Sequence, residues 1–174
     1  MNEEIIAEYK KLRNEIDSKC QRLWNIHRAH MKCKEGCSQC CQAFRILPVE
    51  FHYISLMLKN KNIAINKDFG SSQCKFLVNN RCSIYEHRPV ICRTHGFPLT
   101  RLNEEAGAYE VSFCELNFEG FKLEKFNKNN VFPEDVYNSK LYMLNKKFIG
   151  QLHETPYDSI QLLELNNVGE AFTF

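Results

Sequence analysis

The stretch from Cys33 to Cys41 reads CKEGCSQCC, four cysteines in nine residues with mostly polar side chains between them. Inert cysteines are ordinarily scattered through an apolar core. Four thiols on one short polar loop therefore point to a shared ligand. Soft thiolates at such spacing select zinc, copper(I) or an iron–sulfur cluster, because a short loop brings successive sulfurs together with little chain entropy left to lose. A chain of this kind tolerates long irregular loops, which a bound metal fixes in place of a large apolar core.

The adjacent pair Cys40 and Cys41 constrains the geometry further. Neighbouring side chains point to opposite faces of a strand, and in a helix they diverge by roughly 100°, so two adjacent sulfurs fit one tetrahedral ion poorly. They suit two centres, or two metals of one cluster. With Cys20 set aside, eight cysteines remain: Cys33, Cys37, Cys40, Cys41, Cys74, Cys82, Cys92 and Cys114. Eight divide naturally into two four-cysteine sites, with the division of thiols between them left open.

The opening MNEEIIAEYKKLRNEID has neither the basic nor the apolar region of a secretory signal, and no apolar run approaches a membrane span. The expected compartment is the cytoplasm, where cysteines act as ligands or catalytic thiols rather than as a disulfide framework. The odd total of nine agrees with that. A length of 174 residues predicts a single domain over 1–174, and thirteen phenylalanines with seven tyrosines predict a packed one. A net charge of +2 argues against a nucleic-acid partner. Between Ser71 and Arg101, Lys75, Arg81, Arg88, Arg93 and Arg101 face only one acid, Glu86, a local excess that would offset thiolate charge.

Ile5, Tyr9, Leu12, Ile16, Leu23, Trp24, His27 and Met31 recur at helical spacing, which predicts one long amphipathic helix within residues 1–32. Cys20 falls on its stripe as a small core residue. Pro48 opens a second helix reaching about Lys59. CKFLVNNRCSIY predicts a hairpin turning at Asn79 and Asn80. A two-residue turn pairs Leu77 with Cys82 and sets Cys74 and Cys82 on opposite faces; a three-residue turn sets them together. EHRPVICRTHGFPLT predicts irregular chain or a single helical turn, and AYEVSFC a strand with Tyr109, Val111 and Phe113 on one side. The C-terminal helix is expected over 133–154, with Tyr137, Leu141, Leu144, Phe148 and Leu152 on one face, ending near Pro156. The expected fold class is α+β and predominantly helical. It comprises a long N-terminal helix, a small β-hairpin and irregular loops around a cysteine-rich metal core at 33–114, and a C-terminal helix.

CKEGCSQCC followed by CKFLVNNRCSIYEHRPVICR resembles the YkgJ-type cysteine-cluster family, a group of proposed zinc or iron chelators with a C-x-x-C-x-x-C-C opening and a C-x-x-L, C-x-I-Y, R-P-x-x-C-R run. The corresponding positions are Cys33, Cys37, Cys40 and Cys41, then Cys74 with Leu77, Cys82 with Ile84 and Tyr85, and Arg88, Pro89, Cys92 and Arg93, with Cys114 as the eighth cysteine. The first spacer, Lys34 to Gly36, holds three residues where the family has two. A loop containing glycine can absorb the extra residue. The resemblance implies metal chelation and names no reaction.

Arg88, Arg93 and His95 are candidates for support around the ligands, the arginines as N–H donors to sulfur. His87 and His95 are nitrogen ligands only where a cysteine is missing from a site. His27 and His30 are read as helix C-terminal caps before ligands. No glycine-rich phosphate loop or dinucleotide turn is present. The reading is a metal-binding protein that coordinates zinc or an iron–sulfur cluster through eight cysteines, with metal ions as its partners and no protein partner indicated. The alternative is an iron–sulfur enzyme or accessory protein in methyl-transfer or redox chemistry, which a further resemblance to part of the flagellin lysine methylases suggests. Metal delivery or sensing is a third reading, and whether the chain is an enzyme stays open at this level.

Overall fold

Asn2 starts the first helix by accepting the Ile5 backbone N–H on its Oδ1 at 2.9 Å, and Glu3 and Glu4 place negative charge in the first turn. This helix, α1, runs Glu3–His27. Ile5, Tyr9, Leu12, Ile16, Cys20, Leu23 and His27 are its buried stripe, at the expected spacing and with Cys20 on it. Trp24 and Met31, expected on the same stripe, are only half-buried, and Met31 lies beyond the helix end. The computed structural model describes residues 2–34, 36–59, 61–152 and 157–169. Among them no helix is long and apolar enough to cross a membrane.

Two compact units make up the described chain. The first takes residues 1–8, 35–89 and 142–174. Strand β1 (Arg45–Ile46) and helix α2 (Pro48–Leu58, with proline in the first turn) lie in it, followed by β2 (Leu77–Val78) and β3 (Arg81–Cys82). β1 pairs antiparallel with β7 (Leu163–Glu164). Ile46, Val49, Phe51, Ile54, Phe76, Ile84, Phe148 and Leu165 are buried in this unit.

The second unit takes residues 9–34 and 90–141. It contains the short helix α3 (Val90–Thr94) and a three-stranded sheet in the order β5-β4-β6, where β4 is Leu99–Asn103, β5 Ala108–Ser112 and β6 Phe132–Pro133. Helix α4 (Glu134–Gly150) follows β6, with Glu134 and Asp135 in its first turn. The Asp135 carboxylate accepts the Leu102 backbone N–H at 2.6 Å, tying the helix start to β4. His27 packs edge-on to Phe118, Phe121 and Phe126, and its Nε2 lies 2.6 Å from the Asn130 carbonyl. The aromatic cluster thus takes up a side chain expected to cap the helix.

The mix of helices and small sheets agrees with the expected α+β class, with several adjustments. The strand expected at AYEVSFC forms as the edge strand β5, yet Tyr109 is 74% exposed, so its aromatic side is no core face. β4 and the β1–β7 pair were not anticipated, because two-residue strands and LTRLN show no alternation to read. α4 ends at Gly150; the remainder of the expected helix includes residues 153 and 154, outside the described residues, as is Pro156.

β2 and β3 pair as Leu77↔Cys82 and Val78↔Arg81, leaving a two-residue turn with φ of 50° at Asn79 and 58° at Asn80. Left-handed backbone at both positions is the twist-matched hairpin turn that asparagine tolerates. A β-branched residue there costs about 1–2 kcal/mol. Asn79→Val is accordingly expected to lower the urea midpoint with an unchanged slope. A variant as stable as the parent would show that the turn does not hold this conformation.

Candidate metal centre

Cys40 and Cys41 sit in the turn that Ser38 starts, where the Cys41 N–H donates to the Ser38 carbonyl at 2.9 Å. Beyond it, Gln42 and Gln73 form an antiparallel bridge, and the Cys74 N–H points at the Cys41 carbonyl at 3.4 Å. These backbone bonds lay Cys41 beside Cys74, 33 positions away in sequence. The Leu77 N–H then donates to the Cys74 carbonyl at 3.0 Å, turning the chain into the hairpin that carries Cys82. Ser38 Oγ, 3.3 Å from Asn80 Oδ1, links the cysteine loop to the hairpin tip.

The turn type is the one that was to place Cys74 and Cys82 on opposite faces. Strand alternation begins only at Leu77, because the Leu77 N–H closes a turn on the Cys74 carbonyl, so the hairpin register fixes the face of Cys82 and not that of Cys74. Burial pushes the Cys74 thiol above its ordinary value of 9.0, and repulsion from Cys82 adds to that. The backbone of Phe76 and Leu77 and the Lys75 charge oppose the shift. Cys82 is likewise pushed up, by burial first, while the Ile84 N–H and the Arg88 guanidinium pull it down. Cys41 is raised most strongly, by a hydrogen bond with the Cys40 thiol, then by burial and by repulsion from Cys40, Cys82 and Cys74.

Cys40, Cys74 and Cys82 thus form one group of the first unit around Cys41, whose thiolate each of them disfavours, and Cys37 lies exposed on the same loop. Among the described residues no three His, Cys, Asp or Glu side chains are arranged to hold a metal ion. The donor chemistry fits a soft cation on two counts. The backbone just after Cys74 and just after Cys82 favours their thiolates. Burial and mutual repulsion also make these thiolates costly unless a cation compensates them.

Arg88 belongs to this group. Its Nη1 donates to the Tyr85 carbonyl at 2.9 Å, and its guanidinium stacks over the Tyr85 ring at 3.7 Å. That stacking keeps its positive charge near Cys82. Asn166 was not legible as a site residue. It brackets Cys74 by accepting the Lys75 N–H at 2.9 Å and donating to the Gln73 carbonyl at 2.8 Å. An asparagine 91 positions from Lys75 gives no signal in sequence.

Cys33, Cys92 and Cys114 lie in the second unit, all half-buried. Cys92 is on α3, and the Cys114 carbonyl accepts the N–H groups of Asn117 and Phe118 in the turn after β5. Asn117, unmarked by any motif, is 1% exposed and touches Cys33 directly. Arg93 is buried, and its Nη1 donates to both carboxylate oxygens of Asp17, at 2.7 and 2.8 Å. The Cys20 thiol donates to the Arg93 carbonyl at 3.6 Å, a core contact. His95 is exposed just beyond α3, its backbone N–H bonded to the Ile91 carbonyl.

Residues 32–115 match the CxxCxxCC family, described as "Putative zinc- or iron-chelating domain". No curated protein and no solved structure matches the chain.

Proposed function

With residues 32–115 a CxxCxxCC domain, we propose that this chain is a metal-binding protein whose eight cysteines hold zinc or an iron–sulfur cluster. Cys37, Cys40, Cys41, Cys74 and Cys82 act within the first unit, and Cys33, Cys92 and Cys114 within the second. The observation that carries this reading is the backbone bridge that lays Cys41 beside Cys74, with Ser38 of the same cysteine loop linked to the tip of the hairpin that carries Cys82. Bound zinc would supply a cross-link between loops, and a bound cluster would add electron transfer. The chain's own contribution is to bring loop and hairpin together, to present N–H donors to sulfur, and to set Arg88 against Cys82. Metal ions are its partners, and the cytoplasm is the compartment in which these thiols would stay reduced.

Anaerobic purification followed by elemental analysis and a visible spectrum tests the proposal. Zinc without colour, or iron with a sulfide-to-iron band, is the expected result. A folded protein carrying neither metal would overturn it.

A pH dependence follows from the raised thiols. Thiols that stay protonated at neutral pH must release their protons on binding, so affinity rises with pH, by about two to four decades per unit for two to four protons displaced. Without metal the sign reverses. The folded state binds protons more tightly than the unfolded one, so stability falls as pH climbs past about 9. Competition titrations at two pH values and thermal melts of chelated protein check both halves. A flat affinity profile would contradict the release of protons.

A further inference from the structure

Asn117 lies just outside the segment that matches the family, yet it is built into the surroundings of Cys33. Its Oδ1 accepts the backbone N–H groups of Lys32 at 2.9 Å and Cys33 at 3.1 Å. Its Nδ2 donates to the Gly96 carbonyl at 2.7 Å. Two N–H donors on one side and a carbonyl on the other fix which end of the carboxamide is oxygen, since the flipped amide would set like against like three times. With one Nδ2 hydrogen spent on Gly96, the second faces the Cys33 sulfur at 3.2 Å.

Gly96 closes the same cradle. Its φ is +94°, and a Cβ at that position would stand 3.1 Å from Asn117 Nδ2 and 3.3 Å from Cys33 Sγ. Glycine is thus required twice, by the backbone and by the space beside the sulfur. The Cys33 sulfur thus lies against both ends of the amide, 3.2 Å from Nδ2 and 3.3 Å from Oδ1, beside an unsubstituted glycine.

We propose that Asn117 is the positioning residue of Cys33, holding its sulfur ready for metal through a fixed Nδ2–H···S hydrogen bond. This rests on the metal-binding reading of Cys33. Outer hydrogen bonds of this kind orient a ligand and tune it, and their loss ordinarily costs about 10–100-fold in metal affinity.

Cobalt(II) titration of the full-length metal-free protein tests the proposal, read by the thiolate-to-cobalt charge-transfer band. Asn117→Ala is expected to weaken cobalt binding about 10–100-fold and to move the band. Asn117→Asp, which keeps the shape and removes the N–H donors, is expected to do the same; it carries the test if Asn117→Ala does not fold. In a Cys33→Ser background neither change should have a further effect on binding or on the band. A merely structural asparagine would lower the melting temperature and leave the band in place. Superimposable titrations and bands for parent and Asn117→Asp would overturn the proposal, as would an Asn117 effect that persists in full without Cys33. No thiolate band in the parent would instead sink the metal-binding reading itself.

Discussion

Cys82→Ser is expected to strip the anaerobically prepared protein of first-unit metal and to lower its melting temperature by about 10–20 °C. Cys82 sits opposite Leu77 in the hairpin, is coupled to Cys74 and Cys41, and receives the Ile84 N–H. Structural zinc in small thiolate sites supplies about 10–16 kcal/mol of apparent binding energy at neutral pH. Losing only ~5 kcal/mol of it gives the stated shift, since 1 kcal/mol moves the midpoint by about 2–4 °C in a chain of this size. A strong chelator added to the parent should reproduce the shift. Cys20→Ala is the contrasting variant, because Cys20 is buried on α1 and bonded to the Arg93 carbonyl. It should keep its full metal content. A Cys82→Ser protein that retains the metal and melts with the parent would remove Cys82 from the centre.

The second large effect concerns Asp17 and Arg93. The Arg93 side chain is 4% exposed and that of Asp17 45%, so the arginine is the desolvated partner. Removing the carboxylate takes the paired negative charge from a buried cation that cannot lose its proton, a loss of about 3–5 kcal/mol for a fully buried pair. Because Asp17 is half in solvent, the effect is discounted to about 2–3 kcal/mol. Asp17→Ala should therefore melt ~4–12 °C below the parent. The double variant Asp17→Leu with Arg93→Met should recover part of that loss, since it leaves no charge stranded. If Asp17→Ala were as stable as the parent, the pair would contribute nothing and Arg93 would need another partner to explain its burial. Arg93 was expected as a donor to sulfur; its Nη1 is engaged by Asp17, which anchors α3 to α1 within the second unit.

Local chemistry explains which parts of the molecule were readable. α1 announces itself because its apolar residues recur every three or four positions along twenty-five residues, and α2 because proline stands at its start. The Asn79–Asn80 turn was equally legible, since few residues accept two successive left-handed conformations. Two-residue strands carry no period, so β1, β6 and β7 could not be foreseen. The site divides along the same line. Cysteine spacing marked residues 33–114 as a chelating segment, and the family match spans 32–115.

By itself, the sequence determined the chemistry: which side chains are soft donors, and that four of them share one short polar loop. Only the tertiary structure decided which donors keep company. A single bridge between Gln42 and Gln73 lays Cys41 beside Cys74, and the turn that the Leu77 N–H closes on the Cys74 carbonyl takes Cys74 out of the hairpin's alternation. Asn117 and Asn166 became visible in the same way. Their importance lies in what reaches them across dozens of residues, and hydrogen-bond partners at that separation leave no periodic mark on the chain.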